Sequence, residues 1–101
     1  MITTFVAGNC KIYEITIANS GHGELDLSSV VSTEKLIKIN PGASNVRVLL
    51  TPSTSTDVAD VQDYLLHTNY EVEFVLGPGL DRLSFYNGSG GEVKVSIAVL
   101  Y

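Results

Sequence analysis

The segment EVKVSIAVLY, residues 92–101, decides how the rest of the chain is read. Val93, Val95, Ile97, Val99 and Tyr101 recur at every second position, with polar Lys94 and Ser96 between the first of them. Successive side chains of a β-strand point to opposite faces, so this rhythm predicts a strand with one buried face. Immediately upstream, Leu83 and Phe85 oppose Arg82, Ser84 and Tyr86, which predicts another strand. The five residues Asn87-Gly88-Ser89-Gly90-Gly91 lie between the two runs. A short Gly-rich link that begins Asn-Gly between alternating segments predicts a hairpin.

The same period extends backwards. Val72, Phe74 and Leu76 alternate with Glu71 and Glu73, and Gly77-Pro78-Gly79 ends that run. Val46, Val48 and Leu50 give a strand with Arg47 outward, and Lys35 to Ile39 gives another. Asn40-Pro41-Gly42 between them is a turn, because proline presets φ and glycine accepts positive φ. Tyr13, Ile15 and Ile17 share one strand face, and Ile2, Thr4 and Val6 read as a first strand broken at Gly8-Asn9. Residues 22–33 are ambiguous, with Leu25 and Leu27 marking a short edge strand before a Ser-rich loop. One helix is expected over residues 54–67. Thr54 to Asp57 resembles an N-cap, and Val58, Val61 and Leu65 follow at helical spacing. His67 and Asn69 suit its C-terminal end. The expected fold is all-β: residues 1–101 form a single β-sandwich or jelly-roll-like barrel of about seven short strands with one short helix.

Composition narrows the function. With 45% hydrophobic and 17% charged residues the chain is no candidate for disorder, and 101 residues suffice for one core. The net charge of −5 and the single, scattered placement of Lys11, Lys35, Lys38, Arg47, Arg82 and Lys94 oppose a nucleic-acid partner. No stretch reaches the ~18 apolar residues of a membrane helix, and the start lacks a basic leader. A soluble product made in the cytoplasm, without a membrane partner, is the expectation.

Sites of chemistry are sparse. Cys10 is the only cysteine, so it has no intrachain disulfide partner and no metal spacing. Asp57, Asp60 and Asp63 drift around a helix instead of converging on an ion. Glu71 and Glu73 share a strand face as paired carboxylates do, but wet surface charge is the commoner meaning. Gly-Ser-Gly-Gly lacks the lysine and the following helix of a phosphate loop, and Asn87-Gly88-Ser89 is a turn before it is a glycosylation acceptor. His22 and His67 belong to no Ser-His-Asp or Cys-His signature. No catalytic residue, cofactor or metal is expected. Tyr86 and Tyr101, on the strands either side of the Gly-rich link, are the candidate interface residues.

The stretch YLLHTNYEVEFVLGPGLDRLSFYNGSGGEVKVSIAVLY, residues 64–101, resembles the endings of small β-rich virion proteins of tailed bacteriophages. In these a Gly-Pro-Gly bend, a Leu-Ser-Phe-Tyr strand, a Gly-rich link and a terminal aliphatic strand follow in turn. The likeness covers about the last forty residues and does not extend to the first half. It implies a non-enzymatic head-decoration (cement) protein of the virion, a homo-oligomer with a trimer favoured, contacting the major capsid protein or other virion proteins. A tail or connector component is the near variant. A carbohydrate-binding or adhesion module, drawing on Tyr13, Tyr64, Tyr70, Tyr86 and Tyr101, is the alternative from another class. A small hydrolase would require His22 or His67 beside a nucleophile in a concave pocket.

Overall fold

The computed structural model describes residues 8–30, 34–67, 70–77 and 79–101. The expected strand over Ile2 to Val6, and the roles given to Asn69 and Pro78, lie outside the described residues. Eight strands follow one another: β1 (Cys10–Ile17), β2 (His22–Asp26), β3 (Lys35–Asn40), β4 (Val46–Thr51), β5 (Tyr64–Leu66), β6 (Val72–Leu76), β7 (Arg82–Asn87) and β8 (Val93–Leu100). They form two four-stranded antiparallel sheets, ordered β1-β8-β3-β6 and β2-β7-β4-β5. Pairs nest concentrically, β4 with β5, β3 with β6, β2 with β7 and β1 with β8, which is the jelly-roll form of the β-sandwich.

The core is the sum of the inward faces that alternation identifies. Val93, Val95, Ile97 and Val99 of β8 meet Ile37 and Ile39 of β3 on one side, and Val46, Val48, Leu66, Leu83 and Phe85 on the other. All of these are buried. Each such side chain contributes ~1.5–3 kcal/mol by leaving water. β2 confirms the short edge strand, with Gly23 and Leu25 turned inward and His22, Glu24 and Asp26 exposed. A side chain at Gly23 would collide with Ile15 and Ile17, so glycine there lets β2 lie close to β1.

Two expectations fail, each for a local reason. Residues 87–91 do not close a hairpin: β7 belongs to one sheet and β8 to the other, and the segment crosses the sandwich. Alternation reports one buried face per strand, and either arrangement satisfies it. Asn87, wholly buried, holds the crossover. Its Nδ2 donates to the carbonyls of Ile17, Ala18 and Gly91 at 3.0, 3.2 and 2.6 Å. Its Oδ1 accepts from the Ser89 amide and hydroxyl at 3.0 and 2.6 Å.

The second failure is the helix, since no helix occurs among the described residues. Residues 52–63 run as an irregular strap over the outer face of the β2-β7-β4-β5 sheet, and β5 occupies the end of the expected helix. Short polar side chains capture the amides that a helix would use. The Asp57 amide donates to Ser55 Oγ, Asp60 to Asp63 Oδ2, Val61 to Asp60 Oδ1 and Ala59 to Ser84 Oγ. Val58 and Val61, the intended buried stripe, stay 52% and 59% exposed, and Ala59 is buried in their place. The three aspartates are therefore not a solvated helix face, because Asp60 and Asp63 fold back on the strap. His67 lies exposed beyond β5 and caps no helix.

Replacing Asn87 with alanine removes five hydrogen bonds at the crossover, three to the carbonyls of Ile17, Ala18 and Gly91 and two from Ser89, inside a wholly buried site. A loss of ~2–4 kcal/mol is expected, read as a fall of ~10–25 °C in thermal midpoint by differential scanning calorimetry.

Candidate functional site

Two outer faces offer themselves. The outer face of the β2-β7-β4-β5 sheet carries the hydrogen-bonding residues. Register sets Glu24 beside Ser84, His22 beside Tyr86 and Asp26 beside Arg82. A serine, a histidine and a carboxylate thus share one face of neighbouring strands, a grouping that linear spacing did not reveal. Their bonds go to the strap. His22 Nε2 lies 3.1 Å from the Ala59 carbonyl, and the Ser84 hydroxyl accepts the Ala59 amide at 2.9 Å. Arg82, 3% exposed, donates from Nη1 to the Asp57 carbonyl at 2.6 Å and to Thr51 Oγ1 at 3.1 Å. Arg47 Nη1 donates to the Asp63 carbonyl at 3.1 Å.

The Arg82 guanidinium also grips Glu24 at two points, Nε to Oε1 at 2.9 Å and Nη2 to Oε2 at 3.2 Å. This charge-assisted fork holds the Glu24 carboxyl below its ordinary range and raises Arg82 further. Asp26 is lowered chiefly by the Ser28 amide, which donates to it at 2.8 Å. The geometry is that of a clamp on the strap: the Ser84 hydroxyl and the His22 ring each bond the backbone of Ala59. Cys10 does not join them. It sits at the far end of β1 from the turn into His22, a strand length of about 24 Å at ~3.4 Å per residue. No group of three or more metal-ligating side chains converges among the described residues.

The outer face of the β1-β8-β3-β6 sheet is of another kind. Register lines up Cys10, Leu100, Leu36 and Val75 in one row across all four strands. The next row reads Ile12, Ala98, Lys38 and Glu73, and the one after it contains Glu14, Ser96 and Asn40. One end of this face is therefore apolar and the other polar. Ile12 is 72% exposed and Val75 59%. Lys38 bridges Glu73 at 3.5 Å and Glu71 at 3.9 Å, which marks the boundary between the two halves. Small Ser96 and Ala98 on β8, set between Ile12 on β1 and Lys38 on β3, floor a recess of about 200 Å³.

The sequence reading singled out none of the apolar residues Ile12, Leu36, Val75, Ala98 and Leu100 of this face. Their signal is apolar side chains out of phase with the buried alternation: Ile12, Leu36, Val75, Ala98 and Leu100 all stand where the pattern calls for polar groups. The two tyrosines that it did name are not brought together. Tyr86 is half-buried on the strap side with its ring 5.2 Å from that of His22. Tyr101 packs on the core beyond β8, with the Lys11 ammonium 5.9 Å from its ring centre.

No protein-family model matches the sequence, and no curated protein matches it either. Solved structures similar in fold include the following two. The cupin domain of an XRE-family transcriptional regulator from Enterobacter cloacae is 13% identical, covers 91% of this chain and 81% of its own, and superposes with a TM-score of 0.60. A chain from Bacillus endospore appendages, which form disulfide-linked pili, is 11% identical, covers 100% of this chain and 96% of its own, and has a TM-score of 0.53. At such identities the likeness establishes the β-sandwich alone.

The Glu24 clamp has a pH signature. A carboxyl whose value is lowered by folding binds fewer protons in the native state, so its contribution is full above the ordinary carboxylate range. It is lost as pH falls through the lowered value. Thermal midpoints measured from pH 7 down to pH 3 should drop for the wild type. In Glu24→Gln the midpoint at pH 7 should already be lower, with a shallower further decline on acidification.

Proposed function

We propose that the chain is a non-enzymatic structural subunit of a tailed-phage virion, of the head-decoration type, held to its neighbours through the apolar end of the β1-β8-β3-β6 face. The observation that carries this reading is the unbroken row Cys10, Leu100, Leu36 and Val75, with Ile12 and Ala98 beside it. Contiguous exposed apolar area rimmed by charge is how protein contact surfaces look. Here the rim is Lys38, Glu73 and Glu14. The interior is filled by interdigitated Val, Ile, Leu and Phe, which suits a rigid block. The recurrence of the fold in a chain of bacterial pili fits a part in assemblies.

The mechanism is mass action. A subunit that binds the assembled lattice and not its separate parts stabilises the lattice by the free energy of that contact. Homo-oligomers and contacts with the major capsid protein belong to the same reading. Exposed Tyr64 and Tyr70, 56% and 70% accessible, are what a glycan-binding function would use instead.

Mass spectrometry of purified particles decides between them. The chain is expected in virions and in tail-less heads; presence in tails alone moves it to the tail, and absence from particles refutes the proposal. Val75→Glu, at an exposed site where surface changes stay within about 0.5 kcal/mol of neutral, should fold normally. Its copy number per particle should fall at least ~10-fold, the equivalent of ~1.4 kcal/mol of lost contact.

A further inference from the structure

Four strands border the two sheets, and three of them are guarded. An open edge displays unpaired amides and carbonyls, and proteins blunt it with brevity, charge or a cover. β5 has three residues. β2 has five, two of them carboxylates. β6 has five, with Glu73 second among them and Glu71 just before it. β1 carries charge too, at Lys11 and Glu14, but differs in length: it is eight residues long, regular from Cys10↔Leu100 to Ile17↔Val93, and contains neither proline nor bulge. No hydrogen bond among the described residues satisfies its outer edge.

The hydrogen-bond parity of that edge can be read directly. Asn9 and Tyr101 exchange both backbone bonds, at 2.8 and 3.0 Å. In an antiparallel ladder such pairs alternate, so Lys11, Tyr13, Ile15 and Ile17 also bond toward β8. Cys10, Ile12, Glu14 and Thr16 therefore point their amides and carbonyls outward. Ile12, with a 72% exposed side chain, lies in the middle of this open run.

We infer that β1 pairs with β1 of a second copy, antiparallel across a two-fold axis at Ile12, fusing two four-stranded sheets into one of eight. The register is the one that covers Ile12 with its own counterpart and sets no like charges opposite each other. With Ile12 opposite Ile12 of the second copy, Cys10 faces Glu14 and Lys11 faces Tyr13. Shifts that centre on Lys11 or Glu14 bring like charges together, and centring on Tyr13 sets Ile12 against a carboxylate. In the chosen register the outward groups of Ile12, Cys10 and Glu14 meet as mutually bonded pairs. The most exposed large apolar side chain among the described residues is then covered by its own copy, and the row Ala98, Ile12, Ile12, Ala98 runs unbroken across the axis. The contact is isologous, so it closes at two copies. It leaves the outer face of both sheets open, and it holds or fails independently of any virion role.

Analytical ultracentrifugation over rising concentration should show a mass approaching twice that of the chain. Amide exchange followed by NMR should show Ile12, Glu14 and Cys10 becoming protected at least ~10-fold as the dimer forms. Ile12→Pro removes only an outward amide, since proline is tolerated on an edge with its nitrogen away from the ladder. It should keep the wild-type circular dichroism and sediment as a monomer. Ile12→Lys, which keeps the amide but opposes two ammonium groups, should do the same and serves if the proline variant does not fold. A wild type that stays monomeric to ~1 mM overturns the inference. So does a dimer in which the Ile12 and Glu14 amides exchange freely, or one that survives in a folded Ile12 variant.

Discussion

A sandwich of two sheets must be joined by connections that leave the core without stranding an amide or carbonyl inside it, and Asn87 meets that demand for this chain. One carboxamide satisfies Ile17, Ala18 and Gly91 on its donor side and Ser89 on its acceptor side. A buried peptide group left without a partner costs ~1–3 kcal/mol. The end of β1, the end of β7 and the approach to β8 are therefore fixed relative to each other by a single side chain. The Ser20 amide, which donates to the Asn87 carbonyl, and the Asn87 amide, which donates to the Gly21 carbonyl, complete the junction.

The class of fold was legible in the residues, and its connectivity was not. Period-2 alternation at Tyr13 to Ile17, Val46 to Leu50, Val72 to Leu76 and Val93 to Val99 states which side chains are buried, and each of these strands formed. It is silent on which sheet a strand joins, so the Asn87 to Gly91 link looked like a hairpin when it is a crossing. The strap misled for a different reason. Val58, Val61 and Leu65 do repeat at helical spacing, but Ser55, Asp60 and Asp63 offer their oxygens to nearby amides. The sheet beneath supplies Ser84 for another. Tertiary contact outbid a weak local preference.

The candidate contact surface was hidden by the same alternation that revealed the core. Ile12, Leu36, Val75, Ala98 and Leu100 are scattered over ninety residues, and only the register of four strands aligns them. Single exposed apolar residues carry no message, whereas a row of them across a whole sheet does. The two outer faces then divide the labour. One outer face is closed by a strap clamped through Arg82, His22 and Ser84, and the other carries an apolar row that runs from β1 to β6.

The concentric pairing of strands also favours an order in time. β4 and β5 are separated by the strap alone, whereas β1 must find β8 across nearly the whole chain. Closing a loop costs entropy that grows with the logarithm of its length, and topologies rich in distant pairings fold slowly. Zipping from the innermost pair outward makes each new closure short, because the pair before it has already gathered the ends. During synthesis β1 emerges before β8 and waits for it before its inner edge is covered.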